Sequence, residues 1–195
     1  MSATTERDIA ARAAKTDFKK ALLLARKVSE SWFRCQALAE AARFAPDEQV
    51  VPTAKEAIFA ALTATDIYKQ VAATAWPLRA LIERNQEQKA TQLLPNILSL
   101  AAQIENPVSR SDALFLLWQA FFPVEAHKSV LGCLVKSCTG HWKADYILRQ
   151  VVMILASQDI DAAYKLIPSM PEGKYKRQAQ KRLAAGQTET SWRFF

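Results

Sequence analysis

Both histidines of the chain and two of its three cysteines fall within one short segment, at His127, Cys133, Cys138 and His141. Imidazole and thiolate groups suit Zn²⁺, and Cys138 and His141 have the residue types of a nucleophile and its base. However, Cys133 and Cys138 are five residues apart, so they do not share a helix face. No acid stands at a recognisable spacing to orient His141. We therefore expect no metal and no cofactor, and we favour a non-enzymatic protein over an enzyme.

A second pattern consists of aromatic residues directly followed by basic ones, a combination that can bind a phosphate backbone or an acidic peptide. The basic members are Arg34, Lys69, Arg110, Lys143 and Lys176. The aromatic members, each directly before a basic one, are Phe33, Tyr68, Trp142 and Tyr175. We call these nine the ladder residues, because they would form a binding stripe if they shared one exposed face. The alternative, which the sequence favours, is structural: the ring closes a turn and the basic stem covers apolar surface.

The elements that carry the ladder residues repeat along the chain. Successive basic members are 35, 41, 33 and 33 residues apart. Apolar residues recur ten positions before them, at Leu24, Phe59, Leu100, Cys133 and Leu166, and short polar stretches such as SES, TATD and ENP lie between. Each unit therefore has the pattern of helix, tight turn, helix, and a period in this range is typical of stacked helical hairpins. With only 4 glycines, the sequence predicts an all-α superhelix (solenoid) of about five helical hairpins.

Three stretches carry a resemblance to known repeat proteins: ALLLARKVSESWFRCQALAEAA, ILSLAAQIENPVSRSDALFLLWQA and DAAYKLIPSMPEGKYKRQAQKRLAA. They resemble the tetratricopeptide and HEAT-like class of bacterial α-solenoids over roughly residues 15–186. The chain lacks the Trp-x-x-Leu-Gly-x-x-Tyr stretch of the strict tetratricopeptide repeat. The resemblance implies a superhelical fold and a general role as a binding scaffold, and it assigns no site residue.

We expect a single helical-repeat domain over 1–195, with a cap helix in 1–16, the hairpins in 17–186 and an aromatic tail in 187–195. The tail sequence QTETSWRFF places Trp192, Phe194 and Phe195 after a polar stretch. Exposed together, these rings would form a sticky patch. We expect them either to fold back over the last repeat, which we favour, or to contact a partner or another copy of the chain.

The net charge of +7 is concentrated near the two ends. Residues 15–34 carry +4 and residues 171–195 carry +4, whereas residues 35–170 carry −1. An acidic partner is one explanation, and a solvated surface is the simpler one. The start of the chain has no apolar leader, no stretch of about 20 apolar residues is present, and the cysteines lack a disulfide framework. We expect a cytoplasmic protein that does not enter a membrane.

These observations favour a scaffold that binds a protein or peptide through its concave surface. The alternative is a nucleic-acid-binding α-solenoid that uses the ladder residues. A variant of it is a HEAT-like enzyme similar to the alkylpurine DNA glycosylases, with which Trp76, Trp118 and Trp142 invite comparison. No catalytic acid can be matched to that group.

Overall fold

The computed structural model describes residues 1–122, 124–138, 141–191 and 194–195. These residues form twelve α-helices and no strand. The helices are α1 (Ala3–Ala14), α2 (Phe18–Arg26), α3 (Ser31–Arg43), α4 (Asp47–Leu62), α5 (Ile67–Ala73), α6 (Ala75–Glu83), α7 (Glu87–Ala101), α8 (Pro107–Phe121), α9 (His127–Cys138), α10 (Trp142–Ala156), α11 (Ile160–Leu166) and α12 (Lys174–Ala184), with a 3₁₀ turn at Ile167–Ser169. None of the helices in the described ranges combines the length and apolarity that crossing a membrane requires.

Short polar side chains start several of these helices. Asp17, Asp66, Asn106 and Asp159 each stand directly before a helix and accept a backbone N–H from its first turn, at 2.9–3.3 Å. Such caps satisfy amide groups that have no partner within the helix. The turn-forming stretches of the repeat are therefore the places where one helix ends and the next begins.

The helices fall into two rows according to the helices that they contact. The main row contains α1, α3, α5 with α6, α8, α10 and α12, and each of its members packs against the next. The side row contains α2, α4, α7, α9 and α11, and its members pack against main-row helices adjacent to them in the chain. Helices that pack on their sequence neighbours in this way are compatible with a helical-repeat fold.

The core lies between the two rows. Leu38, Leu78, Leu117 and Leu148 of the main row are fully buried, as is Trp118. Small side chains allow the helices to approach closely, and α3 alone buries Ala37, Ala39, Ala41 and Ala42. Burial of this apolar surface is the main force that holds the two rows together.

One main-row element is interrupted at Thr74, between α5 and α6. Pro77 has no N–H, so it cannot bond to the carbonyl of Ala73 four residues earlier. The thiol of Cys35 on α3 donates to that carbonyl instead, over 3.3 Å. A proline within a helical pattern predicts a kink or interruption, here at both Pro77 and Pro95. The interruption is present near Pro77, where Cys35 of a neighbouring helix stabilises it, whereas α7 continues through Pro95.

Candidate functional site

The five basic ladder residues occupy different positions in their helices. Arg34 and Arg110 are the fourth residues of α3 and α8, Lys69 and Lys176 are the third of α5 and α12, and Lys143 is the second of α10. The helices themselves start at residues 31, 67, 107, 142 and 174. Because successive residues of an α-helix point about 100° apart, these side chains leave their helices in different directions. The recurrence of basic residues in sequence therefore does not correspond to one common position in the helices.

A structural role is visible at the fourth position of three main-row elements. Arg34 donates to the carbonyl of Val28 at 3.3 Å, and Arg110 donates to the carbonyl of Ile104 at 3.2 Å. In the α5 element the fourth residue is Gln70, not Lys69, and its amide donates to Ala64 over 2.5 Å. In each case the acceptor lies six residues upstream, in the turn before the helix. This position thus satisfies a turn carbonyl that the preceding helix leaves unpaired.

The remaining basic ladder residues differ in exposure. Lys69 and Lys143 are exposed, whereas the ammonium of Lys176 pairs with Glu172 at 2.5 Å. Lys143 lies 5.5 Å from the centre of the Trp142 ring, and 63% of Trp142 is exposed. Lys143 and Trp142 together form an exposed basic and aromatic spot at the start of α10.

The other aromatic ladder residues contact neighbouring side chains. The guanidinium of Arg7 lies 5.5 Å from the Phe33 ring, and Tyr175 meets Tyr146 edge to face at 5.6 Å. The Tyr68 hydroxyl donates to Asp112 on α8 at 2.7 Å. Burial, followed by this hydrogen bond, raises the pKa of Tyr68 above its ordinary value. These rings join main-row helices to each other.

The histidine and cysteine segment does not come together as a ligand set. His127 Nδ1 lies 2.7 Å from the carbonyl of Val124, and His141 is exposed before α10. Burial raises the pKa of the Cys138 thiol to about 11, so it is protonated at neutral pH. Across the described ranges no three His, Cys, Asp or Glu side chains gather closely enough to hold a metal ion.

The C-terminal tail turns back along the main row. Gly186, with φ of 68°, ends α12 in a left-handed turn in which Gln187 N–H bonds to the carbonyl of Arg182 at 2.9 Å. The Glu189 N–H then donates to the carbonyl of Met153 on α10 at 3.0 Å. The tail thus leaves α12 and crosses the end of α10.

Further along, the tail reaches helices in the first half of the chain. Trp76 Nε1 donates to the carbonyl of Phe194 at 2.9 Å, and the two rings meet edge to face at 5.3 Å. The guanidinium of Arg43 lies 4.1 Å from the centre of the Phe195 ring. Phe194 and Phe195 therefore contact α6 and α3 rather than covering the last repeat as expected. Trp192 lies outside the described residues.

We call the surface along this path the tail groove. Main-row side chains line it, and they surround clefts of about 460, 220 and 500 Å³ next to the tail. Its principal members are Trp32, Gln36, Glu40 and Arg43 on α3, Trp76, Arg79 and Glu83 on α6, Gln119 on α8, Arg149 on α10 and Arg182 on α12. Four of them, Gln36, Glu40, Gln119 and Arg149, are buried polar residues. Buried polar groups need hydrogen-bonding partners. Gln36 accepts from Arg7 and Glu40 from Arg43, both within the helices, whereas Arg149 takes its partner from the tail.

Charge in the groove is arranged in two groups. Near α3 and α6, Arg43 pairs with Glu40 at 2.9 Å and with Glu83 at 2.7 Å, so this group is balanced. Near α10 and α12, Arg149 and Arg182 both pair with Oε1 of Glu189 in the tail. The second group thus depends on the tail for its counter-charge.

At the far end of the groove, the 460 Å³ cleft lies between the tail rings and α1. Trp32 and Trp76 line it, in edge-to-face contact at 5.6 Å. Arg12 and Lys15 line the α1 side and are exposed. The cleft thus combines flat apolar walls with a charged rim on which Arg7, Arg12 and Lys15 outnumber the carboxylates of Asp8 and Glu40.

The groove residues on α3 are regularly spaced in the sequence, independently of the turn pattern. Trp32, Gln36, Glu40 and Arg43 follow one another at intervals of four, four and three residues, which places them on one helix face. They interrupt a run of alanine and leucine that is otherwise buried. A polar stripe on an otherwise apolar helix predicts a second, polar contact surface.

No protein-family model matches the chain, and comparisons with curated proteins and with solved structures also find no match. The tail groove is the surface of the described residues with the most developed binding chemistry. The groove offers an indole donor for a backbone carbonyl, two guanidinium groups for a carboxylate, and aromatic and cationic surfaces for a ring.

Proposed function

We propose that the chain is an α-solenoid of about five hairpins that binds an extended segment of a protein partner along its tail groove. The observation that carries the proposal is the chain's own tail. Residues of 187–195 lie against α12, α10, α6 and α3 through a backbone hydrogen bond, ion pairs and ring contacts. These are the kinds of contact by which repeat proteins hold extended peptides. The function is that of a non-enzymatic scaffold without a cofactor.

The energetics of the groove also support an occupant. Arg149 is buried, with only 9% of its side chain exposed, and Glu189 supplies its counter-charge. Removing one partner from a buried charged pair is strongly unfavourable because the remaining charge is left without compensation. A groove built this way is stable when filled by a segment that supplies a carboxylate.

The test uses the full chain with a weakened tail. In this tail-loosened variant, Glu189→Gln, Phe194→Ala and Phe195→Ala remove the ion pairs and ring contacts of the tail and leave the groove residues unchanged. A panel of labelled peptides that includes QTETSWRFF is titrated against it by fluorescence anisotropy. We expect binding by the tail-loosened variant and weaker binding by wild type, whose groove is occupied.

The control adds Trp76→Phe to the tail-loosened variant, which removes the indole N–H and keeps a ring. We expect this change to weaken the binding of every peptide that binds the tail-loosened variant. If no peptide binds the tail-loosened variant while circular dichroism shows it folded, the proposal is wrong.

The alternative, a nucleic-acid-binding solenoid of the HEAT-like or glycosylase-like kind, draws on the exposed Trp142, Lys143 and Lys69 and on the two basic ends of the chain. Such a protein should bind a labelled single-stranded oligonucleotide with an affinity that falls steeply as salt increases. Lys69→Glu with Lys143→Glu should reduce that affinity. Absence of binding at low salt would remove this alternative.

A further inference from the structure

We infer that the partner segment carries a carboxylate, then an aromatic pair starting five residues later, then an acidic residue, and that residues 187–195 of this chain are an intramolecular stand-in for it. This inference rests on the proposed function. It goes further because it names the chemistry of the partner and predicts that the tail competes with it.

The carboxylate position is defined between α10 and α12. Arg149 and Arg182 converge on one oxygen of Glu189, with Arg149 donating at 2.9 Å. Lys181 lines the same cleft of about 500 Å³. Two cations therefore contact a single carboxylate, and Lys181 adds further positive charge to the same cleft. An acidic side chain fits it, whereas a neutral amide would leave a buried arginine without a counter-charge.

The aromatic position is defined at α6 and α3. Trp76 holds Phe194 by its ring edge and by the hydrogen bond to the backbone carbonyl, and Arg43 covers the Phe195 ring. A cation over a ring and an edge-to-face ring pair both favour an aromatic side chain over an aliphatic one. The adjacent residues Phe194 and Phe195 therefore contact two different helices, α6 and α3.

The distance between the carboxylate position and the aromatic position limits the length of a segment that can occupy both. Glu189 and Phe194 are five residues apart, and five residues of extended chain cover about 17 Å. From α10 across α8 to α6 are two steps between packed helices, which cover about 16–20 Å. A segment shorter by two residues spans only about 10 Å, well below this separation, so we expect the groove to select the distance as well as the residue types.

The α1 end of the groove supplies contacts beyond the aromatic pair. The cleft of about 460 Å³ continues from Phe194 and Phe195 to Arg12 and Lys15. The two carboxylates that line this cleft already have partners, since Asp8 pairs with Arg7 and Glu40 pairs with Arg43. Among the described residues, no carboxylate lies within ion-pairing distance of Arg12 or Lys15. An acidic residue directly after the aromatic pair would reach them. A partner needs such additional contacts, because a tethered tail competes at an effective concentration on the order of millimolar.

The experiment compares four labelled peptides on the folded tail-loosened variant and on wild type. The first is QTETSWRFFDE, the second has Gln in place of its first Glu, the third lacks two residues between that Glu and the aromatic pair, and the fourth ends in KK instead of DE. We expect the affinity of the first peptide for the tail-loosened variant to be at least tenfold higher than its affinity for wild type, because the tail of wild type competes for the groove. Each of the other three should bind the tail-loosened variant about tenfold more weakly than the first. The second and fourth peptides lose a charge-assisted contact, and the third is too short to occupy both positions at once.

A matched groove variant ties the effect to its site. Arg182→Gln, added to the tail-loosened variant, should reduce the preference for the peptide with Glu over the peptide with Gln. It should leave the preference for DE over KK unchanged, because that depends on the other end of the groove. A change in both preferences would contradict the assigned positions.

The outcomes separate this inference from the proposed function. If all four peptides bind equally, the groove binds peptides but the inference is wrong. If none binds, both are wrong. If wild type forms a dimer in light scattering that the tail-loosened variant does not form, the occupant is the tail of a second copy, and the assignment to a different partner is overturned.

Discussion

Gln70 and Lys69 are neighbours in sequence with different roles in the structure. The Gln70 amide donates to the carbonyl of Ala64, whereas Lys69 is exposed. The ladder residue predicted from the aromatic pattern is therefore not the one that satisfies the turn. A shift by one residue turns a side chain by about 100°, which is enough to move it from the turn to solvent.

The first prediction concerns this pair. Gln70→Ala should lower the free energy of unfolding by about 1 kcal/mol, because a hydrogen bond to a turn carbonyl is lost. Lys69→Ala should change it by less than about 0.5 kcal/mol, as is usual for an exposed side chain. Urea unfolding followed by circular dichroism measures both. Equal effects of the two substitutions would contradict the assigned roles.

The second residue-scale prediction concerns Asp145, the fourth residue of α10. Its Oδ1 is buried without a hydrogen-bond partner among the described residues. Burial raises the pKa of this carboxyl, and the charge of His141 opposes that shift. The folded chain therefore holds the Asp145 proton to a higher pH than the unfolded chain, whose carboxyl titrates near about 3.9.

A raised folded-state pKa makes stability fall as the pH rises from the unfolded value through the folded one. In Asp145→Asn this loss should be absent. The difference in unfolding free energy between Asp145→Asn and wild type should therefore shift in favour of the variant between about pH 3 and 6. A constant difference across this range, measured by urea unfolding, would show that Asp145 does not titrate abnormally.

At the scale of elements, the break between α5 and α6 depends on one carbonyl, that of Ala73, at which residues of α3, α5 and α6 meet. Pro77 leaves the carbonyl of Ala73 without its helical donor, and Cys35 on α3 provides one. Burial raises the pKa of the Cys35 thiol well above its ordinary value. Cys35 therefore keeps its proton at neutral pH and remains a donor.

The third prediction is a double-mutant cycle at this break. Cys35→Ala should cost about 1–3 kcal/mol, because the buried Ala73 carbonyl loses its donor. In the combination with Pro77→Ala, the new N–H of residue 77 can bond to that carbonyl, so the two effects should couple by about 1 kcal/mol. Denaturant unfolding of the four proteins gives the coupling energy. Cys133→Ala, at a half-buried cysteine, is the control, and additive effects would contradict the proposed exchange of donors.

At the scale of the whole molecule, one glycine directs the tail. Gly186 has φ of 68°, and a Cβ placed there would meet no atom within 4 Å, so any cost of a side chain comes from the backbone. The turn that it forms sends Glu189 toward Arg149 and Arg182. The conformation of this one residue thus sets the direction in which the tail leaves α12.

The fourth prediction follows from this turn. Gly186→Ala should cost about 1 kcal/mol, because an L-residue disfavours the left-handed region, and it should speed hydrogen exchange at the Glu189 amide by loosening the tail. Gly132→Ala is the matched control, since it lies inside α9 with open space around it and should add about 0.5–1 kcal/mol. Unchanged exchange at Glu189 in Gly186→Ala would show that the tail does not depend on this turn.

The sequence by itself determined the secondary structure, including the alternation of helices and turns. Helix formers, few glycines and polar caps such as Asp66 and Asn106 act over three or four residues, so they can be recognised without a structure. The break predicted at Pro77 follows from the same local chemistry. The all-α class and the alternation of helices and turns therefore follow from local rules.

The tertiary structure alone decided which residues meet. Trp76 and Phe194 are 118 residues apart, and nothing in either local sequence indicates the other. Their contact depends on the summed rotation and separation of several packed helices, to which unequal turn lengths contribute. For the same reason, only the packing shows that Trp32, Glu40, Trp76 and Arg149 line one groove. Local interactions specify where helices begin and end, but only their packing fixes the surface that they share.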